Sequence, residues 1–158
     1  MRYLAKRVER ICDELYRLRI VQRIPLTDLI CKKGTYIRPE AADAATPPWT
    51  SFDSRTMHWY GPDEYYWFRT EFTVPKALNG KAMWLNVRTQ IEGDDGKNPQ
   101  FLLFVNNVPV QGMDVNHRDV LLSPKAISGE KLVFDLQAYT GTVSYTHLRA
   151  HETCADLV

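Results

Sequence analysis

Residues 65–75 read YYWFRTEFTVP, and the order of side chains in this stretch decides the fold. Tyr66, Phe68, Phe72 and Val74 fall on one side of an extended chain, while Trp67, Arg69, Glu71 and Thr73 fall on the other. Period-two alternation of this kind is the pattern of a half-buried β-strand, because successive side chains of a strand point to opposite faces. Pro75 closes the run, and Asn79-Gly80 after it is a turn signal.

The same alternation recurs along the chain. KAMWLNVRT places Met83, Leu85 and Val87 on one side, and QFLLFV and VPVQGMD flank Asn106-Asn107, a pair that tolerates the positive φ of a tight hairpin turn. HRDVLL and, beyond Ser128-Gly129, KLVFDLQAYT supply two further strands. Short strands with turn residues between them and no intervening helices predict a mostly β protein. The expected architecture is an antiparallel β-sandwich, jelly-roll or galactose-binding-like. Ahead of it, Leu4, Val8, Ile11, Leu15 and Leu18 alternate in steps of four and three among charged residues, which predicts one N-terminal amphipathic helix with a single apolar stripe. From Pro25 to Pro48 the chain reads as an irregular lead-in with one short strand at 35–38. The expected division is therefore helix and lead-in over 1–48, sandwich over 49–142, and a tail over 143–158.

The 158 residues are 44% apolar and 25% charged, with a net charge of +1, as for an ordinary globular domain. No apolar run has the length of a membrane span and no secretion signal opens the chain, so the expectation is a cytoplasmic protein without membrane contact. Near-neutral charge argues against nucleic acid as a partner. Residues 1–40 hold ten Lys/Arg against five Asp/Glu, but these alternate along the helix, as on a solvated face. Cys12, Cys31 and Cys154 are odd in number and show no CxxC spacing, so half-buried, reduced thiols are expected.

The tail breaks the strand pattern. His147 and His151 stand four apart with Glu152 and Cys154 behind, a spacing that on a helix could bind a divalent metal. However, VSYTHLRAHET (143–153) resembles the translation of a transposon-based sequencing adapter. That resemblance implies that Val143–Val158 is non-native, that the metal reading falls with it, and that the native sequence continues differently after residue 142. If a closing strand is thereby lost, two or three apolar side chains worth roughly 1.5 to 3 kcal/mol each go unburied. Against a whole-domain stability of about 5 to 15 kcal/mol, the 1–142 piece is expected to be marginal and prone to edge pairing.

A second resemblance covers nearly all of Trp49–Gly141. WTSFD, DEYYWFRTEFTVP, NGK, NPQFLLFVNNVPVQGMDVNHRDVLL and AYTG, in this order, resemble the N-terminal region of bacterial and cytosolic-type α-mannosidases of glycoside hydrolase family 38. NPQFLLFVN followed by QGMDVNHR is the specific part. A pattern like YWFRTEFTVP also opens the sandwich of the β-galactosidase and β-glucuronidase family. Asn107 departs from the family, which more usually has Gly there, and EGDDGKNPQ lacks a Trp. The resemblance implies a retaining α-mannosidase. Its separate catalytic domain would hold a divalent metal, usually zinc, on His and Asp side chains, one Asp being also the nucleophile. It implies as partners that catalytic domain, further copies of the whole enzyme, and α-mannoside glycans. Neither that His-Asp motif nor its acid partner occurs in residues 1–142, so the chain is expected to have no catalytic residues, cofactor or metal of its own.

Three groups remain as candidates. Asp114, Asn116, His117 and Arg118 put four polar groups within five residues between two strands. They either bond neighbouring loop backbone or grip the catalytic domain or a sugar. Asn98, Pro99 and Gln100 read as a strand-opening cap. Glu92, Asp94 and Asp95 suggest acid/base chemistry or calcium, against which stands a solvated turn, since Asp and Gly are turn residues. Trp49, Trp59, Tyr65, Tyr66, Trp67 and Trp84 could stack sugars or pack a core, and exposure of Trp59 and Trp67 decides between the two.

Overall fold

Arg2–Leu18 forms α1, and the sandwich follows from Ile24 onward. The computed structural model of the protein describes residues 2–18, 20–88, 99–114, 116–141 and 153–155. The strands are β1 (Ile24–Pro25), β2 (Asp28–Lys33), β3 (Thr50–Asp53), β4 (Tyr65–Thr73), β5 (Met83–Val87), β6 (Gln100–Val105), β7 (Val108–Met113), β8 (Asp119–Ser123), β9 (Lys131–Tyr139) and β10 (Thr153–Ala155). A short helix, α2 (Pro39–Ala44), lies between β2 and β3. Every strand pair is antiparallel, in two sheets of order β3-β2-β4-β9-β6-β7 and β1-β10-β5-β8. The expected mostly β sandwich behind an N-terminal helix is thus the observed fold.

Alternation explains the core. Phe68, Phe72 and Val74 from the β4 region, Leu132, Phe134, Leu136 and Ala138 from β9, and Phe101 and Leu103 from β6 meet Met83, Leu85 and Val87 of β5 and Val120 of β8 between the sheets. The hairpin joining β6 to β7 turns on Asn106 and Asn107 at φ of 50° and 67°, the left-handed conformation that Asn tolerates. The Asn106 side chain also accepts the Val133 N–H at 2.9 Å, tying the turn to β9.

The lead-in differs from expectation. Its strand is β2 at 28–33, hydrogen-bonded to both β3 and β4 inside the larger sheet, and residues 35–38 instead run into α2, which starts on Pro39. Leu29 faces the core, but Lys32 on the opposite face is also buried, so DLICKK lacks the apolar-in, polar-out contrast by which a strand is recognised. Gly34, at φ 151°, makes the turn out of β2, and a Cβ there would stand 2.6 Å from the Tyr36 ring. In the tail, the backbone of Thr153–Ala155 pairs with β1 on one side and β5 on the other. No helix of the described residues is long and apolar enough to cross a membrane.

Candidate functional site

The loop between β7 and β8 brings Asp114, Asn116 and His117 together. One carboxylate oxygen of Asp114 accepts the backbone N–H groups of Asn116 at 2.8 Å and His117 at 2.7 Å, and lies 3.0 Å from His117 Nδ1. An Asp side chain folded onto the backbone two and three residues ahead is a turn-forming device. The His117 N–H, first, then the Asn116 N–H and the imidazole, hold the Asp114 carboxyl below the usual carboxylate range. Arg118 joins through its main chain, whose carbonyl accepts the Val87 N–H at 3.0 Å and fastens the loop to the end of β5.

Beside it, buried Asn86 donates to Asp119 at 2.7 Å and accepts from Arg88 Nε at 2.8 Å. This end of the sandwich therefore offers an imidazole with 73% of its side chain exposed, on a loop braced from beneath. Such a surface can hydrogen-bond hydroxyls or the polar face of another domain. Pro99 is buried and Gln100 opens β6; Asn98 lies outside the described residues, as do Glu92, Asp94, Asp95, His147 and His151.

A second polar cluster, which sequence reasoning missed, sits on the outer face of the six-stranded sheet under the segment 34–49. Cross-strand pairing aligns Lys32, Trp67, Gln137 and Leu102 in one row and Ile30, Arg69, Asp135 and Phe104 in the next. Arg69 donates through Nε to Asp135 and through Nη1 to Asp43, each at 2.6 Å, and its guanidinium lies 4.8 Å from the Trp49 ring centroid. Trp49 Nε1 donates to the same Asp43 oxygen at 2.9 Å. Lys32 donates to the carbonyls of Ala42 and Ala45, with its ammonium 5.2 Å from the Tyr36 ring centroid. Gln137 donates to the Tyr36 carbonyl at 2.8 Å.

Asp135 is fully buried, and its second carboxylate oxygen makes no hydrogen bond among the described residues. Burial pushes its carboxyl above the usual range, with Arg69 acting in the opposite direction. Burial works against the charge of Arg69, but the bonds to Asp43 and Asp135 outweigh it and hold the guanidinium protonated more firmly than usual. With both cations engaged by backbone or carboxylate oxygens, the cluster is a brace between sheet and lead-in. The sequence signal was Asp135 and Arg69 at strand centres, on a face that alternation alone reads as solvent.

The aromatic residues divide as core packing requires. Trp59 is 5% exposed and Trp67 fully buried. The Trp59 ring stands edge-on to Tyr66, Phe68 and Phe101 at 5.5, 5.3 and 5.9 Å, and Trp67 packs on Phe104 at 5.5 Å. Neither offers a face to a sugar. Of the thiols, Cys31 is partly buried as expected, whereas Cys12 on α1 is exposed. No group of three or more His, Cys, Asp or Glu among the described residues is placed to hold a metal ion.

No family model matches the chain, and no curated protein matches it. Solved structures do. β-Glucuronidase from Ruminococcus gnavus in complex with D-glucaro 1,5-lactone superposes with a TM-score of 0.52 at 13% identity, covering 75% of this chain and 22% of that one. The complex of that enzyme with D-glucaro-d-lactam gives 0.52 at 14% identity, and its crystal structure 0.51 at 13%, each over 75% of this chain and 22% and 21% of the other. The chain thus spans about a fifth of the length of the β-glucuronidase it matches, and what the two share at this identity is the antiparallel sandwich fold.

Proposed function

We propose that this chain is a non-catalytic sandwich domain of a retaining α-mannosidase, serving as scaffold for the catalytic domain of the same enzyme. What supports the reading is the resemblance of the ordered segments over Trp49–Gly141 to family 38 sequences, together with a sandwich fold that also occurs in a glycosidase. The braced loop at Asp114, Asn116, His117 and Arg118 is the surface assigned to that catalytic domain. In the whole enzyme a carboxylate would attack the anomeric carbon while a second acid protonates the leaving oxygen. The divalent metal, zinc by preference, would orient the mannose hydroxyls there and not in this chain. A cytoplasmic setting and α-mannoside glycans as substrate belong to the same proposal.

A second reading, the accessory sandwich of a β-glycosidase, is favoured by the fold shared with β-glucuronidase. The experiment is an assay of two proteins, this chain and the full gene product that contains it, on nitrophenyl α-mannoside and nitrophenyl β-glucuronide. The expected result is mannoside hydrolysis by the full product alone, abolished by a chelator. Hydrolysis of the β-glucuronide instead assigns the second reading, and mannose release by this chain unaided overturns both. Titration of the chain with mannose oligosaccharides is expected to give no heat at millimolar ligand, and saturable heat would make it a carbohydrate-binding module.

A further inference from the structure

Asn79-Gly80 is the one Asn-Gly pair in the chain, and it lies between a short 3-10 turn (Lys76–Leu78) and β5. Both residues are exposed. A glycine after Asn leaves its amide nitrogen with no Cβ beside it, which makes it the least hindered main-chain nucleophile for the Asn carboxamide. The turn requires this glycine, since Gly80 stands at φ 78°, so the residue that shapes the turn also makes it labile.

The folded turn holds the reacting groups apart. Gly80 N–H donates to the Ala126 carbonyl at 2.7 Å, which keeps its proton engaged. Asn79 Oδ1 accepts the Ser128 N–H at 3.0 Å, which polarises the carboxamide but pins it across the turn to the opposite loop. With ψ of Asn79 at 125°, the Gly80 nitrogen is turned away from the Asn79 Cβ, and a five-membered ring can close only after rotation about the Cα–C bond. That rotation breaks the Gly80 bond to Ala126. It also displaces Lys81, whose N–H donates to the Leu78 carbonyl and whose own carbonyl accepts the Ala126 N–H.

We propose that Asn79 is a deamidation site gated by opening of this turn away from residues 126–128. In the open turn the Gly80 nitrogen gives up its proton and attacks Asn79 Cγ. The new C–N bond forms as the Cγ–Nδ2 bond breaks, and the departing amide takes up the proton and leaves as ammonia. Water then opens the cyclic imide at either carbonyl, so that Asn and water become ammonia and either aspartate or isoaspartate. Isoaspartate adds a methylene to the main chain between buried Leu78 and Gly80, and the turn can no longer close on Ala126 and Ser128 in the same register. Opening, otherwise reversible, is thereby recorded as a covalent change.

Peptide mapping by mass spectrometry tests the proposal, on the whole chain aged in mildly alkaline buffer with and without denaturing urea, beside amide hydrogen exchange at Gly80. In urea, Asn79 is expected to deamidate ahead of every other Asn. In the folded chain the conversion should be slowed at least about tenfold, by the same factor that protects the Gly80 amide, because both need the same opening. Asn79→Asp, which keeps an acceptor for the Ser128 N–H, should retain the Gly80 protection, and the isoaspartate form should lose it. Deamidation of the folded chain at the urea rate overturns the proposal, as does a retardation unrelated to Gly80 exchange. Failure of Asn79 to deamidate first in urea removes the site itself.

Discussion

In the larger sheet β4 and β9 run together from Tyr65 opposite Tyr139 to Thr73 opposite Lys131, whereas in the smaller one β1 offers β10 only Ile24 and Pro25. The two sheets contribute similarly apolar inner faces to one core, but their outer faces differ. The six-stranded sheet is covered a second time by the segment 34–49, which buries Trp67, Phe104 and Ala42 with the Arg69 and Lys32 network. The four-stranded sheet shows the outer face of the Trp84–Leu121 pair partly to solvent, with Leu121 44% exposed. A sheet packed on both faces has little room to relax, and one open on a face can shift to fill a loss. The two sheets therefore differ in compliance.

The hardest test of the rigid sheet is its ion pair. Arg69→Met strands the Asp135 carboxylate in a buried site, and at neutral pH the loss is expected at about 3 to 4 kcal/mol in urea unfolding. Adding Asp135→Leu should return most of it. A cost near zero for Arg69→Met would mean that the brace is as compliant as the open sheet.

Equal chemistry in the two sheets sharpens the contrast. Leu103 and Leu85 are both buried, at 0% and 1% exposure. Leu→Ala costs about 2 to 5 kcal/mol according to how far the cavity collapses, so Leu103→Ala is expected near the top of that range and Leu85→Ala near the bottom. The reverse order would overturn the account of relaxation.

A pH effect of smaller size follows from Asp135. Its carboxyl is raised in the folded chain, so between the ordinary carboxylate pKa and the raised one the folded state holds more protons than the unfolded state. Its contribution is greatest below the ordinary value and is lost as pH rises through the raised one. The stability difference between the native chain and Asp135→Asn, followed from acid to neutral pH, should therefore move in favour of the variant. A difference that stays level would show that Arg69 fully compensates the burial.

The smallest effect is at the hairpin. Asn107→Ala, at φ 67°, is expected to cost about 1 kcal/mol, and Asn107→Gly to be neutral or slightly stabilising. Asn106→Gly should cost more than Asn107→Gly, because it also loses the bond to the Val133 N–H.

Much of this architecture was legible in residue order. The alternation in 65–74 and 131–139, the Asn106-Asn107 turn and the four-and-three stripe of α1 are local patterns, each set by the geometry of its own segment. Of the candidate site, the crowding of Asp114, Asn116, His117 and Arg118 was visible. The direction of Asp114 onto its own loop was not, since a carboxylate can accept from any N–H within reach.

What the tertiary structure alone decided is which polar residues lie inside. Lys32, Arg69 and Asp135 occupy the positions that alternation assigns to water; Lys32 and Asp135 are buried and Arg69 largely so, because residues 34–49, distant in sequence from β9, fold back across them. Strand β2 was hidden for the same reason. A residue's period states which face of the strand it takes, but whether that face meets solvent depends on another part of the chain.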